Sequence, residues 1–176
     1  GANLVLTIDQ TIQYITEREL EKAYKERDAK SASAIVMDPN TGEILALACR
    51  PTYNPNQYEN YPAAYRRNPA INDAYEPGST MKIVTSSIAM AENVVDAQSR
   101  FFCPGYVKVG KETINCAQGK AHGSQSFAEI VENSCNVGFV AVGLALGVDK
   151  YYDHIYDFGF GKKTGIDLPG EAAGII

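Results

Sequence analysis

Two apolar runs of strand length, Ala34-Ile35-Val36-Met37 and Ile44-Leu45-Ala46-Leu47-Ala48, are joined through Asp38-Pro39-Asn40-Thr41-Gly42. Each of the joining residues favours a turn, so the pair predicts a β-hairpin. Both runs are almost continuously apolar and do not alternate, which predicts cover on both faces. The expected class is therefore α+β, an antiparallel sheet flanked by helices. With 45% apolar and 21% charged residues, the chain has enough apolar side chains for such a core. Its 176 residues suit one domain, 1–176. Within it, 1–50 is expected to form a helix and the hairpin, and 51–176 a mainly helical part.

Helical spacing places Ile8, Ile12, Ile15, Glu19 and Ala23 on one face of a first helix. Thr7 and Gln10 read as its capping box, and its end is expected near Lys30. Pro51, Pro55, Pro62 and Pro69 predict a long ordered connection up to Tyr75. A helix is expected over about 79–93, and short strands or loops over 103–123. Ser126 and Glu129 form a second capping box for a short helix to about Asn133. Further helices are expected over about 137–146 and 149–158, before a turn-rich end.

The formal net charge is −5 and there is no basic block, so no nucleic-acid partner is expected. No apolar run approaches the ~20 residues that cross a bilayer, and no signal peptide is present. The chain opens directly into structure and reads as a piece of something longer.

The chemistry concentrates at Glu76-Pro77-Gly78-Ser79-Thr80-Met81-Lys82. The Pro77-Gly78 turn predicts Ser79 at a helix N-terminus, with Lys82 one turn further on the same face. A serine hydroxyl needs a base to become a nucleophile, and a buried lysine of lowered pKa can serve. Free N–H groups at a helix start can stabilise an oxyanion. Ser-x-x-Lys also arises by chance, with a capping serine and a solvated lysine. What gives it weight is Ser134-Cys135-Asn136, a Ser-x-Asn triplet predicted on a loop between two helices. Its serine can relay a proton, and its amide can bond a substrate carbonyl and Lys82.

These segments resemble the transpeptidase domain of class B (monofunctional) penicillin-binding proteins. The resemblance runs from Leu6-Thr7-Ile8-Asp9 through Asp38-Pro39-Asn40-Thr41-Gly42-Glu43-Ile44 and Tyr75-Glu76-Pro77-Gly78-Ser79-Thr80-Met81-Lys82. It continues over His122-Gly123 and Ser134-Cys135-Asn136 to Phe158-Gly159-Phe160-Gly161 and Thr164-Gly165-Ile166-Asp167-Leu168-Pro169-Gly170-Glu171. The Tyr-Glu-Pro-Gly-Ser-Thr form is most similar to the division and sporulation branch. The resemblance implies a β-lactamase/transpeptidase-like fold, incomplete here because its C-terminal strands and helix are absent. It implies that Ser79 attacks the D-Ala-D-Ala carbonyl of a peptidoglycan stem peptide, with Lys82 as base and Ser134 and Asn136 completing the site. β-Lactams would acylate Ser79. A glycan polymerase in the membrane is the implied partner. The implied location is the outer face of the bacterial cytoplasmic membrane, anchored by a segment outside this chain. No cofactor is required for that reaction. Two rivals stand beside it: a serine β-lactamase, and a non-catalytic sensor of wall precursors or β-lactams.

The family's third motif is a Lys-Thr-Gly triplet on a core strand. Lys163-Thr164-Gly165 has the letters but follows glycines and precedes Pro169-Gly170, which suits a loop. The true triplet is expected beyond Ile176, and the chain alone is expected not to hold penicillin stably.

Cys103, Cys116 and His122 cluster in sequence, and three readings stay open. They are a Cys103–Cys116 disulfide, a structural zinc site with a carboxylate or Cys135 as fourth ligand, or free thiols. Cys49 is expected in the core and His154 half-exposed on a helix.

Overall fold

The hairpin forms as the sequence predicts. In a computed structural model that describes residues 2–176, β1 (Ala32–Met37) and β2 (Ile44–Arg50) pair antiparallel, with Ala34 opposite Ala48 and Val36 opposite Ala46. The Asp38 carbonyl accepts from the Gly42 amide at 2.8 Å, closing the turn. The expectation of two covered faces fails on β1. Helix α1 (Gln10–Glu26) lies on the hairpin, but β1 alternates half-buried and exposed positions. Ile35 and Met37 are 46% and 53% exposed.

α1 starts later than predicted. Asp9 caps it, accepting from the Ile12 amide at 2.8 Å. Thr7 is taken up elsewhere, because residues before the helix run beside β2. The Thr7 hydroxyl donates to the Ile44 carbonyl at 2.6 Å, and the Asp9 amide donates to Leu45 at 3.0 Å. The helix ends at Glu26, short of Lys30, where Asp28 turns left-handed at φ +46. Gln13 ties α1 to β2 by donating to the Leu47 carbonyl and accepting from the Leu47 amide.

The backbone forms two units, Gly1–Ala74 with Gly165–Ala172, and Tyr75–Thr164 with Ala173–Ile176. Residues 51–74, which the sequence grouped with the helical part, thus belong with the hairpin. That connection is ordered, with 3-10 turns at Pro55–Asn60 and Ala63–Arg66 and a short helix α2 (Pro69–Asn72). Asn72 Nδ2 donates to the Pro169 and Gly170 carbonyls, strapping residues 165–172 to α2. Cys49 is only half-buried; its thiol donates to Asn68 Oδ1 at 3.0 Å.

The second unit holds the main core. α3 (Met81–Ala91) packs against α5 (Asn136–Leu146) and α6 (Val148–Asp157). Ile88, Ile130 and Val142 are almost wholly buried between these elements and α4 (Phe127–Glu132). The Ser126–Glu129 capping box forms in full at the start of α4. β3 (Arg100–Cys103) pairs with β6 (Gly123–Ser126), and β4 (Tyr106–Val109) with β5 (Glu112–Asn115). The class is α+β, but among the described residues the strands form three separate antiparallel pairs, not one sheet. His154 on α6 bonds Glu92 at the end of α3 at 2.9 Å, joined there by Lys150. Among the described residues no helix is long and apolar enough to cross a membrane.

Candidate active site

Ser79 sits in a 3-10 turn, Gly78–Thr80, that runs straight into α3. Gly78 takes φ +59, a left-handed conformation that a Cβ disfavours. The Thr80 hydroxyl donates to the Pro77 carbonyl at 2.6 Å and closes the turn. The result is an exposed serine at the positive end of a helix dipole, where developing negative charge is favoured. Lys82 follows in the first turn of α3.

Lys82 Nζ donates to the Ser134 carbonyl at 2.7 Å, to Ser134 Oγ at 3.0 Å and to Asn136 Oδ1 at 2.6 Å. Three ammonium protons therefore meet three acceptors, and Ser79 is not among them. The Phe139 ring lies beneath, its centroid 5.4 Å from Nζ. Burial pulls the Lys82 pKa below its ordinary value, and the neighbouring Cys116 and Cys135 sulfurs only partly oppose the shift. Desolvation disfavours the charged form of an amine, so the direction suits a base.

Ser134 and Asn136 flank the junction of α4 and α5. The Ser134 amide donates to Val131 and the Cys135 amide to Ile130, which folds the chain back at the end of α4. That reversal puts Ser134 at φ +47, an uncommon conformation for a residue with a side chain. Cys135 caps α5, accepting at Sγ from the Gly138 amide at 3.4 Å. Asn136 Nδ2 donates to the Asn115 carbonyl at the end of β5, at 2.8 Å. Its carboxamide is thus held at both ends, by Lys82 and by β5. A Cβ on Gly138 would stand 2.7 Å from Ile130 Cγ2, so only glycine permits this approach of α5 to α4. A cleft of about 430 Å³ lies along α3, α5 and α6, with Lys82, Phe139, Thr85 and Tyr151 in its wall. Thr85 Oγ1 and the Tyr151 hydroxyl are hydrogen-bonded there at 3.1 Å.

All four residues expected from the sequence to be catalytic, Ser79, Lys82, Ser134 and Asn136, fall in the Tyr75–Thr164 unit. Three of them are in direct contact. Sequence reasoning missed two supports. Phe139 lies in an apolar helix where nothing in the sequence sets it apart from core, and Asn115 acts through its carbonyl, which every residue has. Lys163, Thr164 and Gly165 lie outside any helix or strand and are exposed.

Cys103, Cys116, His122 and Cys135 converge beside this site, their ligand atoms all within 4.8 Å of one another. Burial alone would raise the Cys103 thiol. Hydrogen bonds from His122 and from the Gly105 amide outweigh it and bring it to about 6. Burial pushes the Cys116 thiol up.

Comparison with known proteins places this arrangement. The family model for the penicillin binding protein transpeptidase domain matches residues 32–176. Stage V sporulation protein D of Bacillus subtilis is 42% identical over 178 residues, covering 100% of this chain and 28% of that protein. Peptidoglycan D,D-transpeptidase FtsI of Escherichia coli K12 is 36% identical over 173 residues, covering 98% of this chain and 29% of that protein. Penicillin binding protein 3 from Mycobacterium tuberculosis, solved in complex with ampicillin, superposes with a TM-score of 0.92 at 33% identity, covering 100% of this chain and 39% of that one. The chain therefore spans less than a third of the length of these curated relatives.

Proposed function

From the premise that this chain belongs to the penicillin-binding protein transpeptidase domain family, we propose that it supplies the nucleophile and proton-relay part of a peptidoglycan D,D-transpeptidase active site. The observation that carries the reading is the Lys82 ammonium, one turn from Ser79 and bonded to both Ser134 and Asn136.

In this mechanism Ser79 Oγ attacks the carbonyl carbon of the penultimate D-alanine, and its proton passes to neutral Lys82. Ser134 Oγ, 3.0 Å from Lys82 Nζ, carries a proton to the departing D-alanine amine. The ester on Ser79 is then attacked by an amine of a neighbouring stem peptide. That step forms the cross-link and frees Ser79. Asn136 orients both the lysine and the substrate amide. A β-lactam enters the same path, but its leaving amine stays attached and the ester persists. The protein works at the outer face of the cytoplasmic membrane, held by an anchor outside this chain and beside a glycan polymerase. Relatives named for sporulation and for peptidoglycan cross-linking support the division or sporulation branch.

The test is acylation of the intact protein by a fluorescent penicillin. Wild type is expected to form a stable covalent adduct at Ser79, and Ser79→Ala none. Repeated destruction of nitrocefin in place of a stalled adduct identifies a β-lactamase. An adduct on Ser79→Ala removes the reading altogether.

A further inference from the structure

Four potential metal ligands converge from four places in the chain. Cys103 ends β3, Cys116 directly follows β5, His122 directly precedes β6 and Cys135 caps α5. Cys103 Sγ is 3.5 Å from Cys116 Sγ and 3.6 Å from His122 Nδ1, and Cys116 Sγ is 3.7 Å from Cys135 Sγ. A tetrahedral ion with sulfur ligands at about 2.3 Å and nitrogen at about 2.0 Å separates its ligand atoms by roughly 3.5–3.8 Å. These three distances already have that spacing, and ligand atoms confined within 4.8 Å leave room for one ion, not several.

We propose that Cys103, Cys116, His122 and Cys135 bind a structural zinc ion whose coordination fixes the Ser134–Asn136 segment. Three soft sulfur donors and one imidazole nitrogen are the donor set that zinc takes when a site is closed and tetrahedral. The thiols give up their protons on binding, and the imidazole binds as the neutral ring. The surroundings suit thiolates: the Gly105 amide donates to Cys103 Sγ and the Gly138 amide to Cys135 Sγ, each at 3.4 Å. Three of the four groups, the cysteines, are fully buried, which keeps water out of the coordination sphere.

The other two occupancies explain the geometry less well. The Cys103 and Cys116 sulfurs stand at 3.5 Å, beyond the ~2.05 Å of a disulfide. That bond would also leave the Cys135 thiol and the His122 nitrogen aimed at oxidised sulfur. Free thiols fill the same space but give no reason for an imidazole nitrogen pointed into three sulfurs.

The site is one bond from the catalytic segment on both sides. Cys135 stands between Ser134 and Asn136, and Cys116 follows Asn115, whose carbonyl holds the Asn136 amide. An ion that ties Cys116 to Cys135 therefore ties the end of β5 to the start of α5. In this role Cys135 is a positioning residue. This second half of the proposal rests on the transpeptidase reading; the metal site itself does not.

The experiment uses the intact protein, purified reduced and without chelator. Metal analysis is expected to find about one zinc per chain. The cobalt-substituted protein is expected to show the intense visible bands of a tetrahedral cobalt–thiolate centre. His122→Asn and Cys135→Ser are expected to lose metal, and Cys49→Ser, in the hairpin unit, to keep it. Because a cysteine variant can fail by unfolding, the cobalt spectrum of the wild type carries the decision. Absence of that spectrum in reduced protein supplied with metal overturns the site, as does a disulfide among these cysteines found by mass in a second sample isolated without reductant. Stripping zinc is expected to slow penicillin acylation about tenfold or more, with recovery on adding zinc back. Bound metal with acylation unchanged on stripping overturns the positioning role alone. Bound metal with no acylation under any condition leaves the site standing and removes the transpeptidase reading instead.

Discussion

An ammonium offers three protons and no lone pair, and the three acceptors around Lys82 use all of them. To act as a base Lys82 must give one up, and only one contact can then reverse. The Ser134 carbonyl and Asn136 Oδ1 accept but cannot donate, whereas a hydroxyl does both. The carbonyl and the carboxamide therefore hold the amine in place, and the third position exchanges protons with Ser134 or Ser79. Burial already moves Lys82 below 10.5, which makes that exchange cheaper near neutrality. The sign follows directly. The reactive form is the neutral amine, so the acylation rate rises with pH and levels off above the pKa of Lys82. Its midpoint is expected below 10.5. Asn136→Asp keeps the shape but puts a carboxylate against the ammonium, which favours the charged form. The pH–rate profile of that variant is expected to move about one to three units alkaline. Stopped-flow acylation across pH checks both, and an unmoved profile in Asn136→Asp means that another group is the base.

Individual elements were legible where their determinants are local. The hairpin follows from its turn residues, and α4 starts where Ser126 and Glu129 cap it. Prediction failed where tertiary contacts compete for the same side chain. Thr7 could have capped α1, but the Ile44 carbonyl takes its hydroxyl and Asp9 caps in its place. The exposed Ile35 and Met37 on β1 are a failure of another kind, since an apolar letter does not say that a partner covers it. The junction of α4 and α5 shows what sequence reading cannot reach: Gly138 sits in an apolar helix with no turn to explain it. Its reason is steric, the 2.7 Å that a Cβ would leave to Ile130. Gly138→Ala should improve helix propensity yet overpack this contact, a net loss of about 1–3 kcal/mol in denaturant unfolding. Since α5 begins at Asn136, the displaced helix also carries the carboxamide away from Lys82, and acylation is expected to fall with stability. A neutral or stabilising Gly138→Ala would mean that Ile130 turns aside freely and that the close approach sets nothing.

At the scale of the whole molecule, the site's order was more legible than its architecture. The motifs around Ser79 and Ser134 could be placed in one site because their order and flanking segments resemble the family, and Lys82 does contact both Ser134 and Asn136. The grouping of residues 51–74 with the hairpin could not, since it depends on contacts such as Asn72 with the 169–170 carbonyls. The same contacts bear on the triplet Lys163-Thr164-Gly165. Residues 165–172 are strapped to α2, and the triplet before them is exposed and in no strand. A triplet that lines a transpeptidase site must present a strand edge beside the nucleophile, and this one has no strand to present. Lys163 is then an ordinary surface lysine. Lys163→Ala in the intact protein is expected to leave the rate of penicillin acylation within about twofold of wild type, the scale of surface substitutions. A loss of tenfold or more would return the triplet to the active site and require the 161–170 turns to refold into a strand when substrate binds.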